Sequence, residues 1–194
     1  QDQALPPGTC ALYLGGGYPE LYAGALSQNT SMGREVLRAV RGGMPTLAEC
    51  GGFQYLQEFL TDAQGNRRPM AGAIPGESAP AGQLVRFGYA TLTARKDTLL
   101  CQKGESIAAH EFHYWDSTQN GDAFLAHKLA LRGGRREPVC RVSPSVFLQQ
   151  SPLCPRLCPG GGTIWPINTL SLKINYKSGS SGVAIPQLTH CVFK

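Results

Sequence analysis

The sequence predicts an α/β fold, a three-layer sandwich on a mostly parallel sheet, and three observations lead there. From Cys10 to Tyr114 strand-like and helix-like patterns alternate, an order that lays helices over the faces of a sheet. Two short apolar runs end in glycines, where such folds bring a ligand against the backbone at the carboxyl ends of strands. The 194 residues, 42% hydrophobic and 16% charged, suffice for one domain with a core, and 24 Gly and 14 Pro predict many loops.

Residues 1–9 read as a loop entering mid-domain, without an initiator methionine, so the fold is expected to be N-terminally truncated. Cys10–Leu14 is a short apolar strand that ends in Gly15-Gly16-Gly17. Pro19 and Glu20 open a helix through Leu26, since a first turn accepts proline and favours an acid. A second helix spans Asn29 to Val40, with Val36, Leu37 and Val40 as its apolar stripe and Gly42-Gly43 as its stop. Thr46–Glu49 is a strand running into Cys50. Phe53, Leu56, Phe59 and Leu60 give the following helix a stripe for packing rather than for substrate contact. Gly65-Asn66 marks a turn, and Arg86–Thr93 and Glu111–Tyr114 are strands with β-branched or aromatic enrichment.

The chemistry concentrates at Ala48-Glu49-Cys50-Gly51-Gly52-Phe53. A strand, a nucleophile type, two minimal residues and a helix are the parts of a nucleophile elbow, whose sharp turn tolerates only small neighbours. A helix N-terminus behind Cys50 would favour the thiolate. The plainer alternative is a buried structural cysteine beside a Gly-Gly loop. Backbone N–H groups near Gly16 and of Gly51 would form the two sides of an oxyanion hole. Glu49 either orients neighbouring groups or pairs with a base such as Arg86. Gln54 and Tyr55 could line a substrate pocket, although a solvated helix face is the favoured reading. Glu20 is read as a helix-start acid rather than a catalytic one.

These segments resemble the class I, triad-type glutamine amidotransferase domain of the cobyrinic acid a,c-diamide synthases. The resemblance rests on Leu14–Glu20, Ala48–Phe53, Met70–Gly76, Arg86–Tyr89 and His110–Trp115, and covers about residues 1–128. It implies that Cys50 attacks the side-chain amide of glutamine, that amides near Gly16 and Gly51 hold the oxyanion, and that a thioester is hydrolysed. It implies that the released ammonia meets a corrinoid carboxylate activated by ATP and Mg2+ in a separate synthetase domain. This chain has no Walker-type phosphate loop, needs no cofactor itself, and cannot activate a carboxylate alone. The resemblance further implies that a histidine near the domain's C-terminus assists the cysteine. His113 belongs to a different motif and is read as a strand histidine, in substrate or structural support, packed beside Tyr114 and Trp115.

After Lys128 the chain changes character: residues 129–136 are basic and glycine-rich, and residues 137–194 hold four of the seven cysteines and no periodicity. Residues 129–194 are therefore expected to be an out-of-frame or disordered tail. Permissible codons for residues 137–152, read one base later, translate as S-L-C-A-G-F-P-H-L-Y-F-Y-S-N-P. That run resembles the family's C-terminal motif with its histidine. Cys154, Cys158, His190 and Cys191 are not read as a zinc site, because the second pair is adjacent. Ser178–Gly182 has linker composition.

The net charge of +5 includes several Arg and Lys of that tail, so nucleic-acid binding does not follow from it. No apolar run is long enough for a membrane span and no signal peptide is evident. With an odd cysteine count the thiols are read as reduced and the setting as cytoplasmic. Three functions stay open: the glutaminase part of a corrinoid diamide synthase, an inactive frameshifted remnant of it, or another elbow-type cysteine hydrolase.

Overall fold

The computed structural model describes residues 2–84, 86–132, 135–142 and 146–149. In chain order the elements are β1 (Leu12–Leu14), α1 (Pro19–Gln28), α2 (Thr30–Arg41), β2 (Thr46–Glu49), α3 (Gly51–Leu56), β3 (Phe59–Thr61), β4 (Arg67–Pro69) and β5 (Glu77–Pro80). They continue with β6 (Arg86–Ala94), β7 (Ser106–His113), β8 (Trp115–Ser117), β9 (Phe124–Arg132), β10 (Arg135–Val142) and β11 (Val146–Gln149).

Three sheets form, in the orders β1-β2-β11, β4-β3-β5-β8 and β10-β9-β6-β7. Among the described residues β1–β2 and β3–β5 pair in parallel, and the other pairings are antiparallel. The described residues form an α/β fold with mixed sheets. Successive strands joined by short connections, β3 with β4, β6 with β7 and β9 with β10, pair antiparallel because a parallel pairing needs a long crossover. The strand β9 runs through Lys128 without a break and pairs with β10. The cysteines and histidine at 154, 158, 190 and 191, and the stretch 178–182, lie outside the described residues.

The helices start and stop as their residues dictate. Proline opens α1. The Asn29 side chain accepts the Met32 N–H at 3.3 Å to cap α2, and the Gly42 N–H closes it on the Arg38 carbonyl at 2.8 Å. Phe59 and Leu60, however, do not continue the helix behind Cys50. That helix ends at Leu56, and Gln57 is extended with ψ 172°. Its fully buried side chain donates to the Ser117 hydroxyl and accepts from Ser78, contacts that only an extended backbone there supplies. Phe59 and Leu60 lie in β3 instead, and Leu60 still reaches the interior.

Apolar burial divides in two. One core joins Leu12, Leu14, Met32, Val36, Val40, Ala48, Tyr55 and Leu56 beneath the elbow. The other joins Leu92, Ala94, Cys101, Phe124 and Ala126 on the β6–β7–β9 sheet. The first sets the position of Cys50, and the second supports the strand that ends in His113.

Candidate active site

The parallel register Leu12↔Thr46, Tyr13↔Leu47, Leu14↔Ala48 brings the ends of β1 and β2 side by side. The Gly15–Gly17 loop therefore lies against Cys50. The Gly52 N–H donates to the Gly15 carbonyl at 3.0 Å, tying α3 to that loop. Small residues are obligatory here for close approach. A Cβ on Gly52 would stand 2.2 Å from the Leu14 carbonyl oxygen, and one on Gly51 would stand 2.9 Å from Pro19 Cδ.

Cys50 itself has φ 47° and ψ −108°, and is the one non-glycine residue at positive φ among the described residues. This is the strained backbone of a nucleophile elbow, which costs about 1–3 kcal/mol and persists only where the surroundings enforce it. Its sulfur lies 3.9 Å from Nδ1 of His113, a residue 63 positions away at the end of β7. His113 is thus not merely a packed strand residue: it is half-buried and faces the thiol.

Burial pushes the Cys50 thiol above its ordinary range, against the N–H groups of Gly17 and Gly51, which lower it, while Glu20 and Glu49 add to the rise. The Gly51 amide, the first of the six-residue helix, favours the thiolate, but burial and the two carboxylates outweigh it. The amides of Gly51 and Gly17 are the backbone groups that favour the Cys50 thiolate. Gly16 lies against Cys50, and a Cβ on Gly16 would stand 3.6 Å from the Cys50 Cβ.

Glu49 accepts the Tyr13 hydroxyl at 3.0 Å across β1 and β2, and the Arg86 side chain lies outside the described residues. Glu20 stands in the first turn of α1 as expected but is buried, and burial raises its carboxyl above the ordinary range. Gln54 and Tyr55 are not on a solvated face: Gln54 is 8% exposed and Tyr55 5%. The short helix is enclosed on all sides, so no face of it meets water. Burial pushes the Tyr55 phenol up to about 12. Gln54 Oε1 is buried without a hydrogen-bond partner among the described residues. No cluster of three metal-ligating side chains occurs among the described residues, and none of their helices is long and apolar enough to cross a membrane.

A strained cysteine between two amides and opposite an imidazole can attack a carbonyl, hold the resulting oxyanion and exchange a proton. Comparison with known proteins agrees in kind. CobB/CobQ-like glutamine amidotransferase domains match residues 1–142. A cobyrinate a,c-diamide synthase of Caldanaerobacter subterraneus subsp. tengcongensis is 45% identical over 136 residues, 70% of this chain and 30% of that protein. One from Salmonella typhimurium is 44% identical over 135 residues, 69% of this chain and 29% of its own length. A hydrogenobyrinate a,c-diamide synthase of Thermobifida fusca is 40% identical over 121 residues, 62% of this chain and 24% of its own length. The chain therefore spans less than a third of the length of these relatives. With a match over residues 1–142, the chain belongs to the family of CobB/CobQ-like glutamine amidotransferase domains.

Proposed function

We propose that the chain is the glutaminase part of a cobyrinate a,c-diamide synthase, with Cys50 as nucleophile. The observation that carries this reading is the Cys50 Sγ to His113 Nδ1 distance of 3.9 Å at a backbone with φ 47°. The thiol is neutral at rest, so its proton must leave as sulfur attacks the glutamine side-chain carbonyl. His113 Nδ1, in the tautomer protonated at Nε2, accepts it. The sulfur–carbon bond forms, and the carbonyl electron pair moves to oxygen, toward the amides of Gly51 and the Gly16–Gly17 loop. Collapse expels the amide nitrogen, which takes the proton from His113 and leaves as ammonia. Water then cleaves the thioester to glutamate and restores the thiol.

Gln54, four residues after Cys50 with an unpaired buried oxygen, serves as a wall of the glutamine pocket. The ammonia goes to the a and c side-chain carboxylates of a corrinoid, activated by ATP and Mg2+ in the remainder of the synthase. In this reading β1 and β2 are the parallel centre of a three-layer sandwich, and the free thiols of Cys50 and Cys101 suit a reducing, cytoplasmic setting.

A diazo-ketone analogue of glutamine tests it: Cys50 should be labelled, and Cys50→Ala should abolish labelling. His113→Ala should slow labelling about a hundredfold. A second reading, an inactive remnant, rests on the shifted-frame histidine motif within residues 137–152. Under it His113→Ala changes nothing, and labelling appears only once the frame is restored.

A further inference from the structure

Glu20 is a buried charged group at the elbow that the steps at Cys50 leave without a task. It stands in the first turn of α1, shortly after the Gly15–Gly17 loop, and is 9% exposed. The start of α1 is packed onto the elbow itself: a Cβ on Gly51 would stand 2.9 Å from Pro19 Cδ and 3.0 Å from the Gly17 carbonyl oxygen. The Ala63 N–H donates to the Glu20 carbonyl at 3.3 Å, which ties the backbone here to the chain after β3. Glu20 is thus carried within a helical turn of the Gly17 amide, and its charge is felt at the Cys50 sulfur. Among the described residues it makes no ion pair, and the donor to its carboxylate is its own backbone N–H. Buried charges are held by a counter-charge or by several donors. Glu49, the other carboxylate that the sulfur feels, already accepts the Tyr13 hydroxyl at 3.0 Å.

We infer that the Glu20 carboxylate receives the α-ammonium of free glutamine, which makes Glu20 the residue that selects the free amino acid over amides lacking an α-amino group. The inference rests on the glutaminase reading. The missing partner of Glu20 is a cation. A metal ion suits the place poorly, since no cluster of three metal-ligating side chains occurs among the described residues. An ammonium brings three donors of its own and can be met by a single carboxylate. With its side-chain carbonyl at the Cys50 sulfur, glutamine carries its one positive charge a short chain away, within reach of an acid whose charge that sulfur feels. The pair would form inside the fold, where a charge-assisted hydrogen bond is stronger than in water.

The test is calorimetric titration of the whole 194-residue chain with glutamine and with glutaramate, which is glutamine without its α-amino group. Glutamine should bind about tenfold or more tightly than glutaramate, and Glu20→Gln should remove that preference by weakening glutamine alone. Glu20→Asp, which keeps the charge, should retain part of it. The Glu20→Gln chain should keep its thermal midpoint or raise it, since a neutral amide costs less to bury than a lone carboxylate. Equal affinity of the unsubstituted chain for the two ligands, or no binding of glutamine, overturns the proposal, and this arm needs no variant. So does a Glu20→Gln chain that still prefers glutamine, or one that loses both ligands equally, which would leave Glu20 as a wall of the pocket. Cys50 labelled by the diazo-ketone with no preference between the ligands overturns this proposal alone. The preference kept with Cys50 unlabelled would instead overturn the glutaminase reading and leave the ammonium site standing.

Discussion

At position 50 a half-buried thiol is pushed toward its protonated form by its surroundings. Alkylation by a small neutral reagent should therefore be slow at neutral pH, and should keep rising as pH passes the ordinary thiol range, because burial together with Glu20 and Glu49 disfavours the thiolate. Glu49→Gln removes one negative charge, so the profile should move to lower pH; an unmoved profile would show that the sulfur does not sense Glu49. The tight turn was legible where geometry forces a local pattern. Cys50 and Gly51 could be read because an elbow excludes larger neighbours. His113 could not be tied to the thiol, since 63 residues separate them and only the tertiary fold closes the distance. The one available signal was alternation: Glu111 and His113 share the inward face of β7 while His110 and Phe112 point out. The enclosure of Gln54 was hidden for a similar reason, since a six-residue helix has no periodicity to show which side is wet.

Elements meet at the elbow with no spare room, and Gly52 is the tightest point. Gly52→Ala should destabilise the domain by about 3 kcal/mol, because the clash is with the Leu14 backbone rather than with a flexible side chain. A denaturant midpoint equal to that of the unsubstituted chain would mean that β1 and α3 can separate freely. The β3–β4 hairpin carries a pH response of its own. Burial works against the Asp62 carboxylate, but the Asn66 N–H, the Arg68 guanidinium, the Asn66 side chain and the Gln64 N–H together bring it from 3.8 down to about 2. Its contribution is complete above its unfolded value and is lost as pH falls through the folded one. Thermal midpoints should therefore drop between about pH 4 and pH 2, and Asp62→Asn should flatten that part of the curve while lowering stability at neutral pH. The α2 helix was readable from Asn29 and Gly42, whose chemistry sets its ends. The strands β3, β4, β5 and β8 were not, because three or four residues are too few to establish a period.

For the whole molecule, Cys50 and His113 are carried by elements that pack on different cores, Ala48, Tyr55 and Leu56 on one side and Ile107 and Ala109 on the other, so their approach depends on how the two cores are held. Leu92→Ala, in the core beneath β6 and β7, should cost about 2–5 kcal/mol. It should slow Cys50 labelling while leaving the Gly52–Gly15 tie in the first core protected from hydrogen exchange. Protection lost equally in both halves would mean a single cooperative core. The α/β class was legible from alternation in the first half of the chain. The mixed sheets were not, because antiparallel partners such as β2 and β11 are set by contacts between distant segments that no local pattern records. The strained backbone at Cys50 has a last consequence. Glycine adopts φ 47° without penalty, so Cys50→Gly would relax the turn and abolish the proposed chemistry at once. Loss of activity and relief of strain are the same substitution there, and a lineage freed from catalytic demand would shed this cysteine before it shed the fold around it.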